Sequence, residues 1–525
     1  MPQNILLPES SYVAFNARHL RDPKTVWTNK NRIDLIEAEK YAYCVPILGE
    51  SESAYASEQV TLYAERYGGA GLGRNGGGAR CGNLENVQIK GSGRNQLVGQ
   101  ASDYWHTYGG ESISGSIRDA LWGEICHNVL PHKSARIFHI IETGTSVLKF
   151  DDAQRTNRSL TLRETTLRPA HFIRALRFRR SDELRHNLIS DSARTGNAVQ
   201  IIQHSLTRFN PCFEKLDLSD CLESMFKRFA DQAAAARAKR IVHGAITASN
   251  ICVDGSWVDF GTISTVSDYG PIKIGRTLPH ADSSSQIFDI AEGLSNALNR
   301  YLPASVSKSL PSKTDLATIY LDRLKERRKW EFLKLTGIPE RALSVLPDNM
   351  TADAYHVFEE ICSIENQRST DLYPPCENCV PVMPTKNGRY QLNWILSKMA
   401  TCTSAETSEI AIRGHLDDDR IRQRLVTAYW NLRDQYLRKS SVSDLVTRAQ
   451  FFQANAIRLN TAIPELYRHN LDAAIDKAVL EERPLRDFIA GLVDKATTLM
   501  RDISDEPHNL DACSASPQLY LSSMA

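Results

Sequence analysis

The residues able to do chemistry fall in one order along the chain. Gly71-Leu72-Gly73-Arg74-Asn75-Gly76 matches G-x-G-x-x-G, and Gly77 and Gly78 extend it. Such a loop lets backbone N–H groups close on phosphate oxygens, because no Cβ intrudes. Lys90 ends the short run "NVQIK" soon after the glycines, and Asp119 and Glu124 follow as candidate partners for its charge. The stretch "RIVHGAITASNICVDGSWVDFG", Arg240 to Gly261, then carries His243, Ser249, Asn250 and Asp259. The side-chain oxygens of Asn250 and Asp259 are hard donors, suited to a hard divalent ion that bridges phosphates. Taken singly, these features read as a surface loop, a solvated lysine and a turn or capping aspartate. Their order and spacing together point to phosphate chemistry.

Particular elements must hold those residues. The alternation in "NVQIK" predicts a strand with Val87 and Ile89 on one face. Between Glu111 and Leu130, Ile113, Ile117, Leu121 and Ile125 recur every fourth residue and predict an amphipathic helix, with Gly115 its weak point. "SARIFHIIET" and "SVLKFDD" read as strands, and "TTLRPAHFIRALRF" as a strand running into a turn or short helix. "LESMFKRFADQAAAARAKRI" is rich in helix formers. After it, "ICV" and "SWVDF" flank Asp254-Gly255, a dipeptide favoured in two-residue hairpin turns with both positions at φ > 0. His243 is expected to brace this loop. A dinucleotide-binding βαβ unit is excluded, since "TLYAERY" does not read as a buried strand and no helix follows the glycines. Beyond about residue 280 come amphipathic helices: "IFDIAEGLSNALNRYL", "DLATIYLDRLKERRKWEFLKLTG", "DRIRQRLVTAYWNLRDQYLRK" and "LRDFIAGLVDKATTLMRDI". An α+β half is therefore followed by a helical half.

Composition narrows the class. The 525 residues carry 63 Lys+Arg against 62 Asp+Glu, so no charge excess points to nucleic acid or a membrane surface. No run approaches the ~18 apolar residues a membrane span needs. The N-terminus lacks the pattern of a secretory signal, and the 11 cysteines are an odd number. A cytoplasmic, reducing setting is expected. Cys376 and Cys379 form the one C-x-x-C, in a Pro-rich loop, and are open to readings as plain thiols, a redox pair or metal ligands. His106 and His280 sit in polar loops, and Ser283-Ser284-Ser285 precedes a helix that one of them caps.

In this order the segments resemble the selenoprotein O family of kinase-fold proteins. "YGGAGLGRNGGGAR" is similar to that family's glycine-rich segment and ends in Arg80. "QIKGSGRNQLV" matches its Lys-Gly-x-Gly-Arg at Lys90, Gly91, Gly93 and Arg94. "SIRDALWGEICH" resembles the helix that carries the lysine's acidic partner, here Asp119, and "TYGGES" around Gly109 echoes a second glycine-rich motif. "LRPAHFIRALRF" resembles the segment that supplies two arginines, Arg168 and Arg174, to the phosphates of a flipped nucleotide. "VHGAITASNICVDGSWVDFG" resembles the family's catalytic loop, hairpin and metal-binding aspartate. The resemblance implies an α+β, protein-kinase-like two-lobed core at 61–300. A 1–60 extension precedes it and a large helical C-terminal region, 301–525, follows.

It also implies ATP and Mg²⁺ as cofactors. Lys90, Asp119, Asn250 and Asp259 are then catalytic, with metal on Asn250 and Asp259. Nucleotide contacts are implied at Gly71, Gly73, Gly76, Gly78, Arg80, Lys90, Gly91, Gly93, Arg94, Gly109, Arg168 and Arg174. The implied activity is transfer of AMP, rather than phosphate, onto a protein or peptide. Two departures matter. Ser249 stands where the family has its proposed catalytic aspartate, and Asp119 is one methylene shorter than the usual glutamate. An acceptor that is already ionised needs no base, so one alternative is activation of a peptide C-terminal carboxylate, as in siderophore-microcin maturation with a partner acyltransferase-like subunit. The other is a catalytically silent pseudokinase scaffold.

Overall fold

The computed structural model describes residues 6–30, 37–148, 155–180, 188–267, 269, 272–273, 284–363, 370–371, 391–438 and 445–503. Cys376, Cys379, His280, Ser283 and the end of "SVLKFDD" lie outside the described residues.

The lysine strand lies within a sheet. Its strands are β1 (Tyr12–Leu20), β2 (Lys24–Thr28), β3 (Tyr43–Cys44), β4 (Tyr55–Glu65), β5 (Cys81–Leu84), β6 (Val87–Lys90), β7 (Ile137–Leu148) and β8 (Arg155–Glu164). They form one eight-stranded sheet in the order β2-β7-β8-β6-β5-β4-β1-β3, with antiparallel neighbours throughout. In β6, Val87 and Ile89 enter an apolar core with Leu62, Phe138, Leu160 and Leu162. By the two-residue period of a strand, Gln88 and Lys90 therefore face the other way. Lys90 pairs with Cys81 on one side and Thr161 on the other, so its backbone is fixed from both edges.

Two expectations about the N-terminal region change. Residues 1–60 are not an appendage to the sheet, because they carry β1, β2, β3 and the start of β4. "TLYAERY" does begin in a strand: Leu62 and Ala64 of β4 are buried, while Thr61 and Tyr63, alternating with them, are half-exposed. The βαβ reading fails instead because β4 and β5 are antiparallel.

The predicted amphipathic helix is α1, Ile113–Val129. Ile113, Ile117, Leu121 and Ile125 are all buried in the largest core cluster. The alanine-rich helix spans Leu218–Ala238, capped by Asp217, whose side chain accepts from the Asp220 N–H. Its Phe226, Phe229 and Ala230 share that cluster with Tyr320 and Leu324 of the helix Lys313–Lys334. A short ladder, Ile241–Val242 against Ser264–Thr265, ties the two ends of the loop that carries Asn250 and Asp259. Farther along, Phe332, Phe358, Leu396, Leu425 and Leu432 build a second, all-helical core. The helices Arg468–Leu480 and Leu485–Met500 instead return to the first core, where Leu471, Ile475, Ile489 and Val493 join the α1 isoleucines. No described helix is long and apolar enough to cross a membrane.

Candidate functional site

Four charged groups meet at the end of β6. Lys90 Nζ lies 2.6 Å from Asp119 Oδ2, 2.9 Å from Asp259 Oδ1 and 3.4 Å from Glu111 Oε2. The Lys90 and Asp119 side chains are 4% and 1% exposed, whereas Asp259 is 34% exposed, so Asp259 is the carboxylate open to a ligand. Asp119 does more than pair the lysine, since its Oδ1 accepts the Phe260 N–H at 3.1 Å. The missing methylene is thus no obstacle, and α1 grips both the lysine and the Asp-Phe-Gly backbone. Asp259 itself sits at φ 69°, a left-handed conformation uncommon outside glycine. Such strained residues cluster at functional sites.

The electrostatics follow from burial and charge count. Burial works against ionisation of Asp259, but Lys90, Arg163 and Arg80 outweigh it and hold the carboxyl well below its usual range. Burial, with Asp259 and Glu111 as like-charged neighbours, raises Asp119. Burial opposes the Lys90 charge, and the three carboxylates more than restore it. Glu111, Asp119 and Asp259 thus face Lys90, Arg80 and Arg163, a cluster of closely opposed charges at the end of β6.

Glu111 went unread in the sequence. Its Oε2 lies 3.1 Å from Arg80 Nη1, which links the glycine-rich segment to the lysine. A Cβ at position 115 would stand 2.2 Å from Glu111 Oε1, so the expected weak point of α1 is the space that admits this carboxylate. The echo "TYGGES" was its only sequence signal. Glu124, the other candidate lysine partner, is instead bonded to Arg136 and Asn29.

The loop of the second lobe is braced from below. Asn250 Nδ2 donates to the Ala245 carbonyl at 2.9 Å, which fixes the amide and presents Oδ1 as an acceptor. The Ser249 hydroxyl lies 3.3 Å from that Oδ1 and 2.9 Å from Thr247 Oγ1. The Asn250 carbonyl accepts from Val258 N–H at 3.1 Å, bringing the asparagine next to Asp259. His243 is buried, with Nε2 3.2 Å from the Val258 carbonyl and its ring against Trp257 and Phe260. Burial pushes it down to about 4, so it is a neutral brace at physiological pH. The hairpin differs from the expected two-residue turn. Gly255 has φ 91° and Asp254 does not share the left-handed region. Asp254 Oδ1 instead takes the Ser256 N–H and hydroxyl, and the Gly255 N–H closes on the Cys252 carbonyl. This is a three-residue loop with glycine in the bulge position.

The two implied phosphate arginines separate. Arg168 is buried, and its nitrogens go to Thr166 Oγ1 (2.8 Å), the Ser249 carbonyl (2.8 Å) and Gln88 Oε1 (3.4 Å). Its nitrogens brace the Ser249–Asn250 loop from within the protein, unlike the phosphate-facing role that the resemblance implies. Arg174 is 35% exposed beside the glycine-rich loop, 3.9 Å from Asp191. Arg163, also unread, donates to Gln88 Oε1 at 2.8 Å and belongs to the positive surroundings of Asp259.

The glycines separate as well. Gly76 and Gly78 donate to the Leu97 and Glu65 carbonyls, and Gly91 and Gly93 to those of Arg80 and Gly109. Gly109 admits Arg94, since a Cβ there would meet the Arg94 N at 2.2 Å. These glycines permit close packing, and the N–H groups of Gly76, Gly78, Gly91 and Gly93 are already spent. Gly71 and Gly73 remain exposed at the loop tip. The tip borders a cavity of about 480 Å³ shared with Arg74, Ser102, Asp103, His106 and Arg177. His106 Nδ1 lies 2.7 Å from both Asp103 carboxylate oxygens.

One carboxylate and one amide oxygen are few ligands, and no group of three His, Cys, Asp or Glu side chains that would hold a metal occurs among the described residues. That donor set fits a magnesium-like ion held largely by substrate phosphates and water. A strand lysine paired to a helix carboxylate, over a second lobe whose loop ends in Asp-Phe-Gly, defines a kinase-like α+β protein. Residues 39–284, just under half of the chain, match the family model of protein adenylyltransferase SelO. A search of curated proteins finds no match to the chain.

Proposed function

We propose that this protein transfers AMP from ATP onto a protein or peptide. The observation that carries the reading is the Lys90–Asp119–Asp259 cluster, closed and fully paired yet open on its Asp259 side. The match to a protein adenylyltransferase family supports AMP rather than phosphate as the moving group. Lys90, Arg80 and Arg174 are the cations we assign to the nucleotide phosphates, and Gly71 and Gly73 the loop positions at which backbone N–H groups approach them. A divalent ion held by Asp259 and Asn250 would supply neutralisation of phosphate charge. An acceptor hydroxyl oxygen attacks the α-phosphorus and its proton passes to water, its new P–O bond replaces the bond to the β-phosphate oxygen, and pyrophosphate leaves. The chain's part is positioning and preset charge, which is the main source of rate in such transfers. Arg168 acts through the Ser249 carbonyl and keeps Asn250 in place.

A second reading rests on Ser249. This buried hydroxyl is engaged with Thr247 and Asn250, and a hydroxyl does not take a proton from another at neutral pH. An acceptor that arrives as a carboxylate needs no such help. Its product is an acyl-adenylate plus pyrophosphate, an intermediate for a partner acyltransferase-like subunit in peptide maturation. The two readings part on the linkage formed. The protein is incubated with ATP, a divalent metal and candidate acceptors, and products that have gained AMP are treated with hydroxylamine. A stable AMP adduct supports a hydroxyl acceptor and a labile one a carboxylate. Tight ATP binding with no AMP on any acceptor would leave only a silent scaffold.

A further inference from the structure

The helix Arg468–Leu480 touches both halves of the nucleotide site from behind. Asp472 Oδ1 is ion-paired with Arg118 Nη2, and Asp472 Oδ2 accepts from Arg468 Nε at 3.0 Å. Arg118 directly precedes Asp119 on α1. Arg468 Nη1 donates to the carbonyl of Gly261, and the Arg468 N–H donates to Ser264 Oγ at 2.9 Å. One turn on, Asp476 Oδ1 accepts from Ser114 Oγ at the start of α1, at 3.1 Å. Tyr467 pairs its backbone with Thr265, just past the loop. Leu471 and Ile475 lie in the same buried cluster as Ile113 and Ile117.

We propose that Asp472 is a positioning residue for the nucleotide site, setting α1 and the Asp-Phe-Gly segment in one register. Lys90 requires it to be so, because its two close partners come from separate pieces of chain. Asp119 rides on α1 and Asp259 on the loop. Each residue of an α-helix advances about 1.5 Å. A slip of α1 by that amount breaks both the 2.6 Å contact to Lys90 and the 3.1 Å bond from Phe260. The packing beneath is apolar, whereas the Arg118–Asp472–Arg468 array is directional on both sides. The Asp472 side chain is 35% exposed, and pairs that open to water add little to stability. Its effect is therefore on alignment more than on folding.

This proposal rests on the transferase reading for its kinetic arm and is independent of it for its structural arm. Asp472→Asn and Asp472→Glu are made in the full-length chain. AMP transfer is measured with kcat and the KM for ATP separated, and backbone hydrogen exchange is followed over 113–119 and 259–265. Misplacing reacting groups by about 1 Å costs on the order of 10²-fold in rate. Asp472→Asn is expected to lower kcat roughly tenfold or more and to raise exchange in both segments, while exchange in β1 and β4 stays as in the parent. Asp472→Glu restores most of the loss. Unchanged exchange in both segments overturns the proposal, as does a loss spread evenly over the whole chain or unrelieved by glutamate. A parent protein that moves no AMP would defeat the transferase reading, and the exchange comparison would still decide the role of Asp472.

Discussion

Lys90 on the sheet stands 2.6 Å from Asp119 on α1 and 2.9 Å from Asp259 on the loop of the second lobe, so a single ammonium joins the three pieces. Lys90→Met leaves the Asp119 carboxylate buried without its cation. Breaking one side of a buried pair costs roughly 3–5 kcal/mol. The double variant Lys90→Met/Asp119→Leu removes the stranded Asp119 charge but also the acceptor of the Phe260 N–H, and denaturant unfolding should show part of that loss recovered. Neither variant should transfer AMP, which separates the fold's need for the pair from the chemistry's need for the lysine.

Ser249 offers a gain-of-function test. Base assistance to a hydroxyl acceptor contributes roughly 10²–10⁴-fold. Ser249→Asp places a carboxylate beside Asn250, and labelling of serine, threonine or tyrosine acceptors should rise by at least about tenfold. No rise, with ATP binding intact, would mean that the serine is not what limits a hydroxyl acceptor.

His243 sets a pH window. Its folded value is about 4 against 6.5 for the free side chain. Above 6.5 neither state is protonated at this residue. Between 6.5 and 4 the unfolded chain binds a proton that the folded one excludes, so stability falls as pH drops through that window, by about 3 kcal/mol in all. His243→Gln should remove about one proton from the slope of unfolding free energy against pH over that range. An unchanged slope would show that His243 is not buried as a neutral ring.

Glycine substitutions distinguish packing from phosphate contact. A Cβ at Gly68 would lie 2.1 Å from the Arg174 carbonyl carbon, backbone that has no room to yield, whereas Gly73 has nothing within 4 Å. Gly68→Ala should therefore fail to fold stably. Gly73→Ala should cost about 1–2 kcal/mol, the price of its left-handed φ alone. If Gly73→Ala leaves both fold and ATP affinity untouched, the loop tip does not approach the nucleotide.

What the sequence disclosed was local. The "NVQIK" alternation placed Lys90, four-residue spacing placed the buried face of α1, and short motifs marked Asn250 and Asp259. Each of these depends on neighbours a few residues away. Glu111 reaches the lysine only because Gly115 leaves room above the first turn of α1. Arg168 looked like a ligand arginine because its neighbours in sequence resemble such a segment, but its direction is set by the Ser249 carbonyl. Asp472 meets Arg118 across most of the chain. Contacts of that kind leave no periodic trace. The first sixty residues were misread for the same reason, since β1 and β2 take their places through partners on β4 and β7.

The most direct test uses ATP labelled separately at the α- and γ-phosphates, with a divalent metal, cell extract as acceptor and an Asp259→Ala control. α-Label is expected on a protein or peptide, with pyrophosphate released alongside it and neither in the control. Label arriving from the γ-position, or ATP bound with no label moved, would contradict AMP transfer.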